Sequence, residues 1–247
     1  METVLVKIRR QDDPGDLPYW EKFEVERREG MTVVGLLLAL RENPVTVDGN
    51  RTAPVVWESS CRDGLCGSCA MVINGRVRLA CHTVVEELSE PVTLEPLSKF
   101  PVLRDLKVDR ARMFDALGRI LAWIDLDGIH AHGPALRIAP EAATRAAPVS
   151  ACIMCGACSE ACPQVNERSA FAGAFLFAHA DALSAHPLGS FGDPARMDEL
   201  LGRGGIADCA GAGVCSEVCP ARVPLVESIA RVEGKANSRA LKRLLGL

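Results

Sequence analysis

The chain has 247 residues, of which 48% are hydrophobic and 24% charged, as in ordinary globular proteins. Its formal net charge of −4 gives no electrostatic reason to expect binding to nucleic acid or adhesion to anionic lipid. The longest weakly polar run, residues 169–180, is too short to cross a membrane, and residues 1–13 lack the apolar core of a secretory signal.

The first hundred residues predict a small sheet covered by one helix. Residues 32–40 form an apolar helical run that should end at Asn43, because a residue before proline is disfavoured in helices. Asn74-Gly75 is a strong pattern for the turn of a hairpin. The segments that predict strands are Thr3–Arg10, Lys22–Arg27, Met71–Ile73, Val77–Leu79 and Val92–Leu94.

Eleven cysteines are the most informative feature of the chain, and their odd number and tight grouping argue against a disulfide framework. The first group is Cys61-x4-Cys66-x2-Cys69, followed by Cys81 after eleven residues. This spacing is typical of a plant-type [2Fe–2S] site, in which a tight loop supplies three thiolates and a nearby strand the fourth. Zinc also accepts four cysteines, but this is not its usual spacing.

Beyond about residue 104 the pattern becomes helical, which predicts a boundary between domains at 1–104 and 105–247. Met113, Leu117, Ile120 and Ile124 are spaced as one face of a helix. Asp193-Pro194 should begin a short helix that ends near Gly202, and Pro224 should open another.

Two further cysteine groups lie in this helical half. Cys152-x2-Cys155-x2-Cys158-x3-Cys162-Pro163 is the bacterial ferredoxin run, whose fourth cysteine ligates the other cluster. Cys209-x5-Cys215-x3-Cys219-Pro220 follows the same template with Ala212 in place of the second cysteine.

Exchange of the fourth cysteines assigns all eleven residues to three sites. A [4Fe–4S] cluster is then held by Cys152, Cys155, Cys158 and Cys219. The remaining site has only three thiolates, from Cys162, Cys209 and Cys215, which predicts a [3Fe–4S] cluster. The alternative is a four-iron cluster completed by water or by another side chain.

These motifs resemble those of the iron–sulfur subunits of succinate dehydrogenases and fumarate reductases. The resemblance rests on Ser60–Met71, on Leu79-Ala80-Cys81 and on the two ferredoxin runs, and it covers essentially the whole chain. It implies an α+β fold, with an N-terminal β-grasp [2Fe–2S] ferredoxin domain followed by an all-α two-cluster ferredoxin domain.

The same resemblance implies a role as an electron wire without a catalytic residue of its own. A partner flavoprotein with covalent FAD would interconvert succinate and fumarate. Electrons would pass through [2Fe–2S], [4Fe–4S] and [3Fe–4S] to a quinone at a membrane-anchor subunit. The chain would then lie peripherally on the cytoplasmic face of the cell membrane.

Two positions depart from many ubiquinone-linked members of the family. Glu167 stands where a tryptophan is common, and Ala210 where a histidine is common. These departures favour a differently built quinone site and a low-potential quinone such as menaquinone. Rival hypotheses are a subunit of another flavoprotein:quinone reductase, a soluble polyferredoxin and a zinc-stabilised adaptor.

The remaining candidate groups have simpler interpretations. The five histidines lack the spacing of metal ligands, so we expect surface or structural roles for His82, His130, His132, His179 and His186. We likewise expect core packing for the stripe Phe171, Phe175 and Phe177, and a solvated helix face for Lys235, Arg239, Lys242 and Arg243.

Overall fold

The computed structural model describes residues 2–124 and 137–246. The chain divides into two compact units. The first comprises residues Met1–Arg110 together with the short segment Ile153–Glu160, and the second comprises Ala111–Cys152 and Ala161–Leu247. The first unit thus includes part of the second cysteine run, which local sequence patterns do not indicate. His130 and His132 lie outside the described residues.

A five-stranded sheet in the order β2-β1-β5-β3-β4 forms the first unit. Its central pairing of β1 with β5 is parallel, whereas β1–β2, β3–β4 and β3–β5 are antiparallel. A separate two-stranded ladder joins β6 to β7. The strands are β1 Thr3–Arg10, β2 Tyr19–Glu26, β3 Ala70–Ile73, β4 Arg76–Leu79, β5 Val92–Glu95, β6 Val102–Arg104 and β7 Lys107–Val108.

Helix α1, Val33–Glu42, supplies apolar side chains to the core of the first unit. It begins where the hydroxyl of Thr32 accepts a hydrogen bond from the Gly35 N–H at 3.2 Å, a side-chain cap at the N-terminus. Leu36 and Leu37 are fully buried. The helix ends before Asn43-Pro44, as the sequence predicts.

A buried ion pair fixes the chain that leads into the first cysteine loop. Arg10 and Asp105 are both fully buried, and the Arg10 Nε donates to Asp105 Oδ1 at 2.7 Å. Asp105 also accepts from the Val56 N–H at 2.8 Å, and Arg10 donates to the Ala53 carbonyl at 3.1 Å. Glu21 is the second acidic partner of Arg10. The pair therefore holds the strand end, residues 53–56 and residue 105 together.

The described part of the second unit is helical. Helix α5 packs on α3 and α8, and α6 packs on α8. Phe175 and Phe177 of α5 are buried together with Phe171, so the predicted core role of these rings is confirmed. The helices are α2 Ala111–Arg119, α3 Pro140–Ser150, α4 Ala157–Ala161, α5 Phe175–Ala185, α6 Asp193–Leu200, α7 Val214–Glu217 and α8 Leu225–Leu244, of which α4 belongs to the first unit except for its last residue.

Helix α2 is shorter than the apolar spacing predicts, and the prediction that it reaches Ile124 is wrong. Leu121 adopts a left-handed conformation with φ of 50°. Its N–H donates to the Gly118 carbonyl, and the next N–H, that of Ala122, donates to the Leu117 carbonyl at 3.0 Å. This is a Schellman-type helix end, which usually requires glycine and which leucine does not signal in a sequence.

Candidate metal centres

The first cysteine group converges at one end of the β3–β4 hairpin. Cys69 directly precedes β3 and Cys81 follows β4, and the pairing of Ala70 with Leu79 brings the two cysteines together. Their sulfur atoms lie 3.3 Å apart, and both residues are buried. Cys61 and Cys66 lie in the preceding loop and are exposed. None of the eleven cysteines forms a disulfide.

Backbone N–H groups in this loop point at the cysteine sulfurs. The N–H groups of Asp63, Leu65 and Cys66 donate to Cys61 Sγ at 3.4, 3.3 and 3.3 Å. The Gly64 N–H donates to Cys81 Sγ at 3.2 Å. Such donors stabilise negative charge on sulfur, which is the state of a thiolate ligand, and they tune the potential of a bound cluster.

The thiols of the first group differ in acidity for clear physical reasons. Hydrogen bonds from the Cys61 backbone and the Ser68 hydroxyl lower the pKa of the Cys66 thiol to about 6. Burial raises the pKa of the Cys69 thiol to about 12. A buried sulfur of this kind gives up its proton when it binds a metal, whose charge replaces the proton. The donor set therefore fits a cationic iron centre.

The second cysteine run winds through two left-handed residues, Met154 and Gly156, before α4 begins. Cys155 and Cys158 are buried and belong to the first unit. Cys152 and Cys219 are half-buried and belong to the second unit, where the Val223 N–H donates to Cys219 Sγ at 3.3 Å. The predicted grouping of these four cysteines stays a prediction.

The third group lies wholly in the second unit. Cys162, Cys209 and Cys215 line one cavity of about 70 Å³, and Ala212 lines it with them. Burial raises the pKa of the Cys215 thiol, and repulsion from Cys162 and Cys209 acts in the same direction. The sequence thus predicted three residues that the fold brings to one cavity.

The rest of this cavity is almost entirely apolar. Phe171, Val226 and Ile229 form part of its lining. Among the described residues that surround it, Gln164 is the only polar side chain apart from the cysteines. In the part of the chain that the structure describes, no carboxylate, hydroxyl or imidazole side chain lines it, so few side chains there could complete a four-iron cluster. Three sulfurs and a methyl group fit the predicted three-iron site.

Across residues 2–124 and 137–246, no group of three or more Cys, His, Asp or Glu side chains, the cysteine groups included, has the geometry that holds a single metal ion. Among the described histidines, the His186 Nδ1 accepts from the Leu188 N–H at 3.2 Å, which is a structural role. His179 is partly buried, and burial lowers its pKa.

Sequence patterns missed several contacts that support the first loop. The Ser68 hydroxyl lies 3.1 Å from Cys66 Sγ. Arg110 donates to the Glu58 carboxylate at 3.2 Å and to the Ser68 carbonyl at 3.1 Å, so that it ties two sides of the loop together. Arg110 is far from its partners in the chain, whereas Ser68 lies two residues from Cys66 and so could have drawn attention by its position next to a ligand.

Comparison with known proteins agrees with this architecture. A model of the 2Fe-2S iron-sulfur cluster binding domain matches residues 5–115, and a model of the 4Fe-4S dicluster domain matches residues 147–223. The protein is thus a two-domain ferredoxin-type iron–sulfur protein, and the predicted α+β class is confirmed.

Similar proteins narrow the assignment. The succinate dehydrogenase iron-sulfur subunit of Bacillus subtilis is 40% identical over 245 residues, covering 99% of this chain and 97% of that protein. The fumarate reductase iron-sulfur subunit of Wolinella succinogenes is 32% identical, covering 90% and 91%. A chain of the Mycobacterium smegmatis Sdh1 complex in the apo form superposes with a TM-score of 0.79 at 26% identity, covering 96% of each chain.

The chain belongs to the family of iron–sulfur subunits of succinate dehydrogenases and fumarate reductases, and its role is electron transfer. Within residues 2–124 and 137–246, no helix is both long and apolar enough to cross a membrane.

Proposed function

We propose that this chain conducts electrons between the FAD of a partner flavoprotein and a membrane quinone, in a succinate:quinone oxidoreductase that oxidises succinate or reduces fumarate. Bound iron–sulfur clusters supply the one-electron carriers. In order along the wire, the ligands are Cys61, Cys66, Cys69 and Cys81 for [2Fe–2S], Cys152, Cys155, Cys158 and Cys219 for [4Fe–4S], and Cys162, Cys209 and Cys215 for [3Fe–4S].

One observation carries the proposal: three cysteines and Ala212 line a single small cavity in a member of this family. Three thiolates with a methyl group at the fourth position favour a cluster that has lost one iron. Such a cluster has a higher reduction potential than the usual four-iron form, because cluster type and charge help to set the potential. This suits the quinone end of the wire.

The first loop has the character of an entry point for electrons. Cys61 and Cys66 are exposed, and the side chain of Leu65 between them is 69% exposed. The N–H donors of the loop hold negative charge on the sulfurs while the apolar Leu65 remains free to contact a partner. We place the flavoprotein on this surface.

The quinone end lies beside the three-cysteine cavity, held by a separate membrane-anchor subunit at the cytoplasmic face of the cell membrane. Ala210 lines this cavity and Glu167 is exposed. Neither supplies the histidine or tryptophan common in ubiquinone-linked relatives. These two positions therefore favour menaquinone as the acceptor.

Purification of the tagged chain from native membranes tests this function. We expect it to bring with it a flavoprotein containing covalent flavin and an integral anchor, and the complex should reduce a menaquinone analogue with succinate. Isolation of a flavin-free chain would favour a soluble carrier. Activity with glycerol-3-phosphate or glycolate in place of succinate would favour another flavoprotein:quinone reductase.

A further inference from the structure

The segment Ile153–Glu160 carries two cysteines of the second run, yet it packs within the first unit. Glu160 fastens its end: the Glu160 carboxylate accepts from the Ser98 hydroxyl at 2.7 Å and from the Lys99 N–H at 3.0 Å. These bonds attach the chain next to Cys158 to the turn after β5.

A close apolar contact fastens the middle of the segment. Gly156 lies against the ring of Phe100 and the side chain of Leu97, and both of these residues are buried. A Cβ atom at Gly156 would approach the Phe100 ring to 3.1 Å and the Leu97 side chain to 3.4 Å. The chain between Cys155 and Cys158 therefore sits tightly on the core of the first unit.

The third contact joins the two cysteine loops directly. Gly67, between Cys66 and Cys69, lies against the backbone of Ile153 and Cys155. A Cβ atom at Gly67 would lie 2.5 Å from the Ile153 carbonyl oxygen and 2.9 Å from the Cα and Cβ of Cys155. Because these are backbone and near-backbone atoms, no side-chain rotation could make room, and the two loops would have to separate.

We infer that Gly67 is a positioning residue that sets the separation between the first two cluster sites and so the electron coupling between them. The inference rests on the proposed assignment of the cysteines. Electron tunnelling weakens steeply with separation and with every gap between atoms. At Gly67, a single van der Waals contact joins the ligand loop of the first cluster to Cys155, a proposed ligand of the second cluster.

Glycine is also favoured here by backbone conformation, since Gly67 has a φ of 72°. Gly75, in the turn between β3 and β4, provides the matched control. Its φ is 71°, and a Cβ there would meet nothing within 4 Å. Gly75→Ala therefore introduces similar backbone strain without the contact.

The test compares Gly67→Ala and Gly75→Ala in the full chain within its assembled complex. With both clusters reduced, the spin relaxation of the [2Fe–2S] centre reports on its magnetic interaction with the neighbouring [4Fe–4S] centre. We expect the [2Fe–2S] centre of Gly67→Ala to relax more slowly than that of the unmodified complex, because its magnetic interaction with the [4Fe–4S] centre is weaker. Alternatively, Gly67→Ala should lose the four-iron cluster while it keeps [2Fe–2S]. Gly75→Ala should keep both. A Gly67→Ala complex with both clusters and unaltered relaxation would overturn the inference.

A second variant serves if Gly67→Ala does not assemble. Glu160→Ala removes the bonds to Ser98 and Lys99 without filling any space. We expect faster hydrogen exchange confined to residues 153–160 and a weaker magnetic interaction, whereas Glu24→Ala, which removes an exposed carboxylate from β2, should change neither. Unchanged exchange and relaxation in Glu160→Ala would contradict the inference. Absence of either cluster from the unmodified complex would instead refute the proposed function.

Discussion

Among single residues, Ala212 has the largest predicted consequence for cluster chemistry. It occupies the place of the second cysteine in the ferredoxin run and lines the cavity shared by Cys162, Cys209 and Cys215. A methyl group cannot ligate iron, so the chain offers three sulfurs where a ferredoxin offers four. We therefore expect this one side chain to separate a three-iron from a four-iron site.

Ala212→Cys should convert this site to [4Fe–4S], because the loop already follows ferredoxin spacing. The reduction potential of the cluster should fall, and succinate-driven quinone reduction should slow. EPR of the oxidised complex is the measurement, since [3Fe–4S] is paramagnetic in that state and a usual four-iron centre is silent. Ala210→Cys, which adds a thiol to the same cavity at a different spacing, should keep the three-iron signal. Equal spectra from the two variants would contradict the role given to position 212.

At the scale of secondary-structure elements, a buried acid joins α5 to α8. Asp181 is almost fully buried, and it accepts hydrogen bonds from the Ser228 hydroxyl at 3.1 Å and from Arg231 Nε at 2.8 Å. Further along α8, Lys235 pairs with Asp193 at 2.9 Å, so the predicted basic face is partly engaged in ion pairs. The cations bind acids of α5 and α6 and hold α8 against them.

Arg231→Met should destabilise the protein by about 2 kcal/mol, because it leaves the Asp181 carboxylate buried with one neutral donor. The half-exposed position of Arg231 limits the loss. Arg243→Met is the matched control, since Arg243 is exposed and its partner Asp198 keeps the bonds from Arg239. The melting temperature of the assembled complex should fall clearly for the first variant and hardly for the second. Equal melting temperatures would show that Asp181 does not depend on Arg231.

Elements with local signals were predictable from the sequence. Strand β1 agrees residue for residue with the alternation of Thr3–Arg10, and the Asn74-Gly75 turn forms the expected hairpin. The end of α2 was not predictable, because leucine at position 121 carries no sign of a left-handed residue. The packing of residues 153–160 on the first unit was not predictable either, since it depends on partners such as Ser98 and Phe100 about sixty residues earlier in the chain.

In the candidate sites, too, features with a local sequence signal were predictable and features that depend on tertiary contacts were not. Cysteine spacing alone predicted the members of all three groups, because ligand spacing is a local property of the chain. The fold brings Cys162, Cys209 and Cys215 to one cavity, whereas the grouping of Cys152, Cys155, Cys158 and Cys219 stays a prediction. The supporting hydrogen bonds made by Ser68, Arg110 and Glu160 emerged only from the fold. Their roles depend on tertiary contacts.

Across the whole molecule, ligands should be exchanged between the two ferredoxin runs. Cys219→Ala should damage the four-iron cluster, whereas Cys162→Ala should damage the three-iron cluster although it lies close to Cys158 in the sequence. Both variants should keep the [2Fe–2S] signal of the N-terminal domain, which is the internal control. EPR of reduced and oxidised preparations distinguishes the outcomes, and the opposite pairing would refute the assignment of these two cysteines.

The chain should also depend on its partners for solubility and loading with iron. Large apolar side chains are exposed in both units. Exposed apolar surface of this kind, where it is contiguous, usually marks a docking site for a partner. Examples are Leu17 and Leu65 in the first unit and Phe114, Phe191 and Leu244 in the second. Expressed alone, the chain should be poorly soluble or incompletely metallated, as judged by iron and sulfide content. A stable, fully metallated monomer that reduces quinone without a partner would contradict this prediction.

The decisive measurement is EPR of the intact complex with iron, sulfide and zinc quantified, because the proposed function requires three different clusters. The oxidised complex should show a [3Fe–4S] signal, and reduction should reveal [2Fe–2S] and [4Fe–4S] signals with no stoichiometric zinc. A fully loaded complex without the oxidised three-iron signal, or one that holds zinc in place of iron, would contradict the assignment of three different clusters to this chain.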